Sequence, residues 1–225
     1  MQMPKLPFFL ALLFLCLLSS CAGSLPQAAR LNAGECLARA EEAIAQRNYD
    51  EAAGYLDAAI HKEPHNAAAY LRHGEVLRVL GKDRQARSTY RAALKNLPDS
   101  PEKSEAAYHL ALLQALKFDT LREALSLIPG LAEDSAEKLD LQGVVALQQR
   151  KFREALQYLS RAQQFAGVQR MGLVLYHASL AYHGLGDPEN ARASLFHAIN
   201  QTDNLAEVKD IERFYAQLAG RGSAD

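Results

Sequence analysis

The spacing of apolar residues repeats along the chain: an alanine, a large residue four positions on, then another small residue three further. It runs Ala52, Leu56, Ala59 and returns 34 residues later as Ala86, Tyr90, Ala93, with Pro64 and Pro98 closing the two copies. Further copies stand at Phe152-Arg153-Glu154-Ala155 with Leu159 and Ala162, and at Ala191 with Leu195 and Ala198. A weaker one is Leu121-Arg122-Glu123-Ala124 with Ile128. Steps of four and three place these residues on one helix face. Upstream of each copy lies a second amphipathic segment. In the second unit Tyr70, Gly74 and Leu77 share a face, Gly81 ends that segment and Asp83 opens the next. Each unit is predicted as helix, tight turn, helix. Its alanines and glycines let the two helices approach closely, and Pro64 and Pro98 stop the second helix.

An isolated hairpin of this kind cannot bury its apolar face, so the units must stack into an array stabilised by nearest-neighbour interfaces. The array is predicted over residues 33–204, with units near 33–66, 67–100, 105–135, 136–169 and 172–204. The third unit departs from the pattern: Leu112 fills its small slot, Pro129-Gly130 truncates its second helix, and about four extra residues including Pro101 precede it. It is the predicted soft joint. Beyond the fifth unit, Asn204 caps a final helix over 205–219, with Val208, Ile211 and Phe214 or Tyr215 on one face and charges on the other. That helix reads as a solubilising cap on the array, followed by a frayed end at 220–225.

With its 34-residue period and its succession of bulky, small and bulky residues followed by alanine, aromatic and proline, the chain resembles the tetratricopeptide repeat family. There is no tryptophan, and the family's bulky first slot is filled by Cys36, Tyr70, Tyr108, Leu139 and Leu175. The resemblance implies an all-α, right-handed superhelical solenoid of about five hairpins plus a C-terminal capping helix. It also implies a concave groove lined by the first helix of each hairpin. The positions matching the family's ligand-facing sites are Leu37 and Glu41, Leu71 and Glu75, His109 and Leu113, Asp140 and Val144, Tyr176 and Leu180. Ile44, Arg78, Leu116, Leu147 and His183 stand one turn further. This lining is mostly apolar and departs from the lysine, asparagine and arginine that clamp a terminal carboxylate in the chaperone-binding subclass. The functional reading is a groove for an apolar strand or an amphipathic helix. The plainer reading is that some of these residues fill space between adjacent hairpins.

Residues 1–20 have another character. Lys5 is their only charge, and the apolar run at 6–18 is too short to span a bilayer core of roughly 30 Å. They read as a cleaved signal peptide. Leu18-Ser19-Ser20-Cys21 resembles the bacterial lipobox, which makes Cys21 the lipid attachment site and 21–32 a lipidated N-terminus and short tether. The alternative is an ordinary signal cleaved near Ala22. By resemblance to lipoprotein sorting, Ala22 after the cysteine favours the outer membrane, with the array facing the periplasm. Of three cysteines, Cys16 then leaves with the signal and Cys21 is acylated, so Cys36 has no intramolecular partner. Its helix spacing reads as a buried structural thiol, with a reactive thiol as the other possibility.

Lysine and arginine total 25 against 26 acidic residues, a nearly neutral field that disfavours nucleic acid as a partner. No nucleophile motif, phosphate loop or acidic pair stands apart from the repeat spacing, so no enzyme activity, cofactor or small-molecule substrate is expected. His61 and His65 are four apart, but Pro64 lies between them and Lys62 occupies the place where a zinc-protease motif requires glutamate, so no metal site is expected. The expected partner is a protein, a subunit of an envelope machine, with resemblance to the pilotin and assembly-factor lipoproteins of pilus and secretion systems. The alternative is an adaptor that docks a peptidoglycan enzyme on the convex face. Lipidation predicts that Cys21→Ser releases the protein from membranes into the soluble fraction, scored by fractionation; a variant that stays in the membrane fraction excludes the lipobox.

Overall fold

In a computed structural model, residues 28–118, 120–202 and 204–221 are described. The expected signal peptide, the expected lipid-attachment residue Cys21 and most of the expected tether lie outside them. Among the described residues the secondary structure is helical throughout, and none of these helices is long and apolar enough to cross a membrane. The chain divides into two compact units, residues 1–64 and 65–225.

In the first unit, α1 (Ala33–Ala45) and α2 (Tyr49–Lys62) form one hairpin. Asn32 and Glu35 cap α1 reciprocally: the Glu35 amide donates to Asn32 Oδ1 at 2.9 Å, and the Asn32 amide donates to Glu35 Oε2 at 2.7 Å. Arg47 turns the chain with φ +58°. Small residues meet along the interface, with Cys36, Ala40, Ala52, Leu56 and Ala59 all fully buried. The Cys36 thiol points to the Ala28 carbonyl at 3.8 Å, and burial pushes its pKa up, as befits a packing residue.

The second unit continues with α3 (Ala67–Val79) and α4 (Asp83–Asn96), α5 (Pro101–Leu116) and α6 (Leu121–Leu127), α7 (Ala136–Gln148) and α8 (Phe152–Phe165), α9 (Val168–Gly184) and α10 (Pro188–Ile199), and finally α11 (Leu205–Arg221). Gly81 and Gly186, at φ +73° and +75°, make the turns inside the α3/α4 and α9/α10 hairpins. A Cβ on Gly74 would fall against the Tyr90 ring, and one on Gly143 would stand 2.7 Å from Leu159. These glycines therefore set how closely the paired helices lie.

The third hairpin carries the irregularity expected of it. Its second helix has seven residues and ends in a 3₁₀ turn, Ile128–Gly130, where Pro129 forbids continuation. Its first helix begins at Pro101, before the predicted start of the unit near 105. Ser100 caps it and Pro101 takes its first turn, so the extra residues extend α5 and form no loop. The lost surface of α6 is offset by Leu131, which joins Tyr108, Ala111, Leu112, Ala124, Leu141, Val144 and Leu173 in one buried cluster.

The close contact at Gly74 makes a quantitative expectation. Gly74→Ala forces the methyl against a Tyr90 ring that is buried at 1% exposure, so the ring or the helix must shift. Urea denaturation should show a loss of about 1–3 kcal/mol, the usual cost of overpacking, whereas Gly54→Ala, where a Cβ meets nothing within 4 Å, should be neutral or stabilising.

Candidate functional site

The last helix does more than close the array. α11 packs on α10 and also reaches back to α3. Its stripe of Ile211, Phe214 and Leu218, all buried, joins Leu195 and Ala198 of α10, with Leu175, Tyr176 and Leu180 of α9 packed alongside. Phe214 meets Tyr176 edge-on at 6.2 Å and His183 edge-on at 5.5 Å. Asn204 starts the helix by accepting from the amides of Ala206 and Glu207, both at 3.1 Å.

On its other flank α11 is held by charge. Asp210 accepts from Arg78 of α3 at 3.2 Å and from Lys117, at the end of α5, at 3.2 Å, and Lys209 donates to the Val79 carbonyl. The Arg78 and Asp210 side chains are 11% and 16% exposed, too shielded to be one of the surface pairs that contribute about 0–1 kcal/mol. Removing one partner strands a largely buried charge. Beneath the helix lies a cavity of about 210 Å³, whose walls include Arg78, Leu113, Tyr176, His177, Glu207 and Asp210.

A polar network runs under this cavity. The Asp140 carboxylate, fully buried, accepts from the Tyr108 hydroxyl at 2.6 Å and from His177 Nδ1 at 2.8 Å, tying α5, α7 and α9 together. Burial, with Asp140 beside it, pushes the Tyr108 phenol well up. The other ring nitrogen, His177 Nε2, is buried with no hydrogen-bond partner among the described residues, as is His109 Nδ1. Arg170 bridges the same three helices, at 2.5 Å from Glu105 and 2.8 Å from Glu137, with its guanidinium 4.6 Å from the Tyr108 ring centre. Burial alone would raise Glu105; the hydrogen bond and charge of His109 and the charge of Arg170 instead bring it down to about 2. Glu207 moves the other way, raised by burial despite its hydrogen bond from Thr202 at 2.7 Å.

The residues singled out in the sequence fall into four sets. Arg78, Leu113, Leu116, Tyr176 and Leu180 come together around the cavity, with His183 against Phe214. Glu75, His109, Asp140, Val144 and Leu147 are buried: Val144 and Leu147 belong to core clusters, and Asp140 and His109 to the polar network. Leu71 is half-buried on α3. Leu37, Glu41 and Ile44 lie on α1 of the first unit, where Ile44 is buried and Glu41 exposed. Lys117, Arg170, His177, Glu207 and Asp210 escaped sequence reading, because they join the site only through tertiary contacts, the longest of them across 132 residues. Among the described residues no group of three or more histidine, cysteine or acidic side chains is placed to hold a metal ion.

The two glutamates predict opposite pH dependences. Folding lowers the Glu105 pKa, so its stabilisation is present above the ordinary carboxylate value of about 4.3 and is lost as pH falls toward about 2. Folding raises the Glu207 pKa, so its contribution is complete below about 4.3 and fades as pH rises through the raised value. Glu207→Gln should therefore slow amide exchange across α11 at pH 7 relative to wild type, with the difference vanishing below pH about 4; equal exchange at both pH values would contradict a strained glutamate.

Residues 37–101 match the family model of the tetratricopeptide repeat. Among solved structures, the chain is similar at 16% identity to TTC0263, a tetratricopeptide repeat protein of Thermus thermophilus, with a TM-score of 0.61 over 83% of this chain and 98% of that one. PilW, described as a widely conserved type IV pilus biogenesis factor, gives a TM-score of 0.57 at 16% identity over 86% and 94% of the two chains. A chain of the Cut9–Hcn1 complex gives 0.60 at 16% identity over 88% of this chain, which spans only 39% of that one. No curated protein matches the sequence. Residues 37–101 are thus a tetratricopeptide-repeat segment, and the helical hairpins of the chain have the tetratricopeptide-repeat fold.

Proposed function

We propose that the mature chain is a protein-binding scaffold of the bacterial envelope, tethered by a lipid on Cys21 to the outer membrane and facing the periplasm. Its first helices receive an amphipathic helix of a pilus, secretion or assembly component. The observation that carries this reading is the chain's own α11, an amphipathic helix seated against first helices of the hairpins by Phe214 and the Asp210 pairs. A helix offering three such apolar anchors gains about 1.5–3 kcal/mol from each one fully buried, and the paired cations Arg78 and Lys117 select one with an acid beside them. The similarity in fold to a type IV pilus biogenesis factor supports a pilus component as the partner.

A second reading, an adaptor for peptidoglycan enzymes on the outer face, is favoured by Phe165 and Phe196, 51% and 61% exposed on second helices of hairpins. Photo-crosslinkers at Leu71 and Leu180, against the same probe at Phe165 and Phe196, separate the two in living cells. The groove reading expects an envelope-machine subunit captured from the first pair and lost on Arg78→Glu. Capture of a murein enzyme from the second pair alone would sink it.

A further inference from the structure

We infer that α11 is a displaceable occupant of the groove, which holds the site closed until a partner helix of the same pattern replaces it. This rests on the reading of the first helices as a helix-binding surface. It adds the partner's chemistry and the regulation: an acid immediately followed by apolar residues at the first, fourth and eighth places, as in Asp210, Ile211, Phe214 and Leu218.

Four observations converge on it. The first is the mode of attachment. α11 contacts α3, far away in sequence, through Arg78–Asp210 and the Val79 carbonyl, whereas a cap needs only the neighbouring hairpin. The second is fit. Beside its buried apolar stripe, α11 also places the Glu207 carboxylate against the floor, 4% exposed, and leaves a cavity of about 210 Å³ where a helix that only completed the core would fill the space. The third is unmet hydrogen bonding. His177 Nε2, at a residue lining that cavity, has no partner among the described residues, so a donor or acceptor from another helix would improve on what α11 provides. The fourth is the leash. Five residues, 200–204, join Ile199 to Leu205, a reach of about 17 Å at 3.3–3.6 Å per residue. The helix can leave the cavity without leaving the molecule. Charge complementarity names the occupant, because two cations from different hairpins converge on one carboxylate of a helix.

The test uses the mature full chain and a fluorescein-labelled peptide of residues 204–221 added in trans. Wild-type protein should bind it weakly, its own helix competing. Asp210→Lys combined with Phe214→Ala in the protein, which sets a like charge against Arg78 and Lys117 and removes the central anchor, should bind the unmodified peptide at least tenfold more tightly. Far-UV circular dichroism should show the array intact. Should that double variant misfold, Asp210→Asn keeps the side-chain shape and should give a smaller tightening of at least threefold. A peptide carrying Asp210→Lys should fail to bind either protein. Equal peptide affinity for wild type and Asp210→Asn would overturn the proposal, since α11 would then be a fixed part of the fold. So would a concentration-dependent dimer of the wild-type protein that exchanges α11, because the occupant would be a second copy. The peptide comes from this chain, so the outcome is independent of the envelope partner, and the crosslinks above succeed or fail separately.

Discussion

The distance between paired helices governs everything else here, and small residues set it. Gly74 lets the Tyr90 ring lie where a methyl group would stand, Gly143 does the same for Leu159, and the matching places in the first and fifth hairpins hold the small, fully buried Ala40 and Ser179, with the larger Leu112 in the third. Close pairs leave each hairpin as a thin slab with apolar residues on both sides. A slab is unstable alone, so each must be covered by the next. Within the second unit, stacking brings the first helices of successive hairpins side by side, and the surface that α11 covers arises without any residue having been placed for binding alone.

Polar groups determine how the slabs of the second unit register. Tyr108, Asp140 and His177 come from three hairpins and meet with Asp140 fully buried; Arg170 repeats the arrangement with Glu105 and Glu137. Apolar contacts are tolerant of sliding, whereas a buried carboxylate that must reach two donors is not. The third hairpin, with its seven-residue second helix, sits inside this network. Its shortened contact with the fourth hairpin is supplemented by hydrogen bonds and ion pairs that no irregularity in α6 disturbs.

The hairpins themselves were legible in the amino-acid order. Ala52, Leu56 and Ala59 and their counterparts mark a helix face, and the turn at Gly81 follows from the end of one periodic run and the start of the next. Part of the site was legible as well: Arg78, Leu113, Leu116, Tyr176 and Leu180 were marked by their place in the repeat and line one cavity. Val144 and Leu147 occupy equivalent places and are core. A repeat position states which way a side chain leaves its own helix, and a neighbouring slab decides whether it then meets solvent. The start of α5 at Pro101 was obscured because the extra residues break the period, although Ser100 before a proline is itself a capping signal.

By itself, then, the sequence determined the helices, their pairing and the apolar character of the face they share, because local periodicity and the need to bury a stripe act within one repeat length. It also marked α11 as amphipathic, with Asn204 at its start. Only the tertiary structure decided what α11 covers. Its apolar stripe would serve equally on the last hairpin alone, and its return to Arg78 and Val79 depends on a contact across 130 residues. That contact exists because stacking turns the first helices toward one another and leaves two cations, Arg78 and Lys117, within reach of one carboxylate.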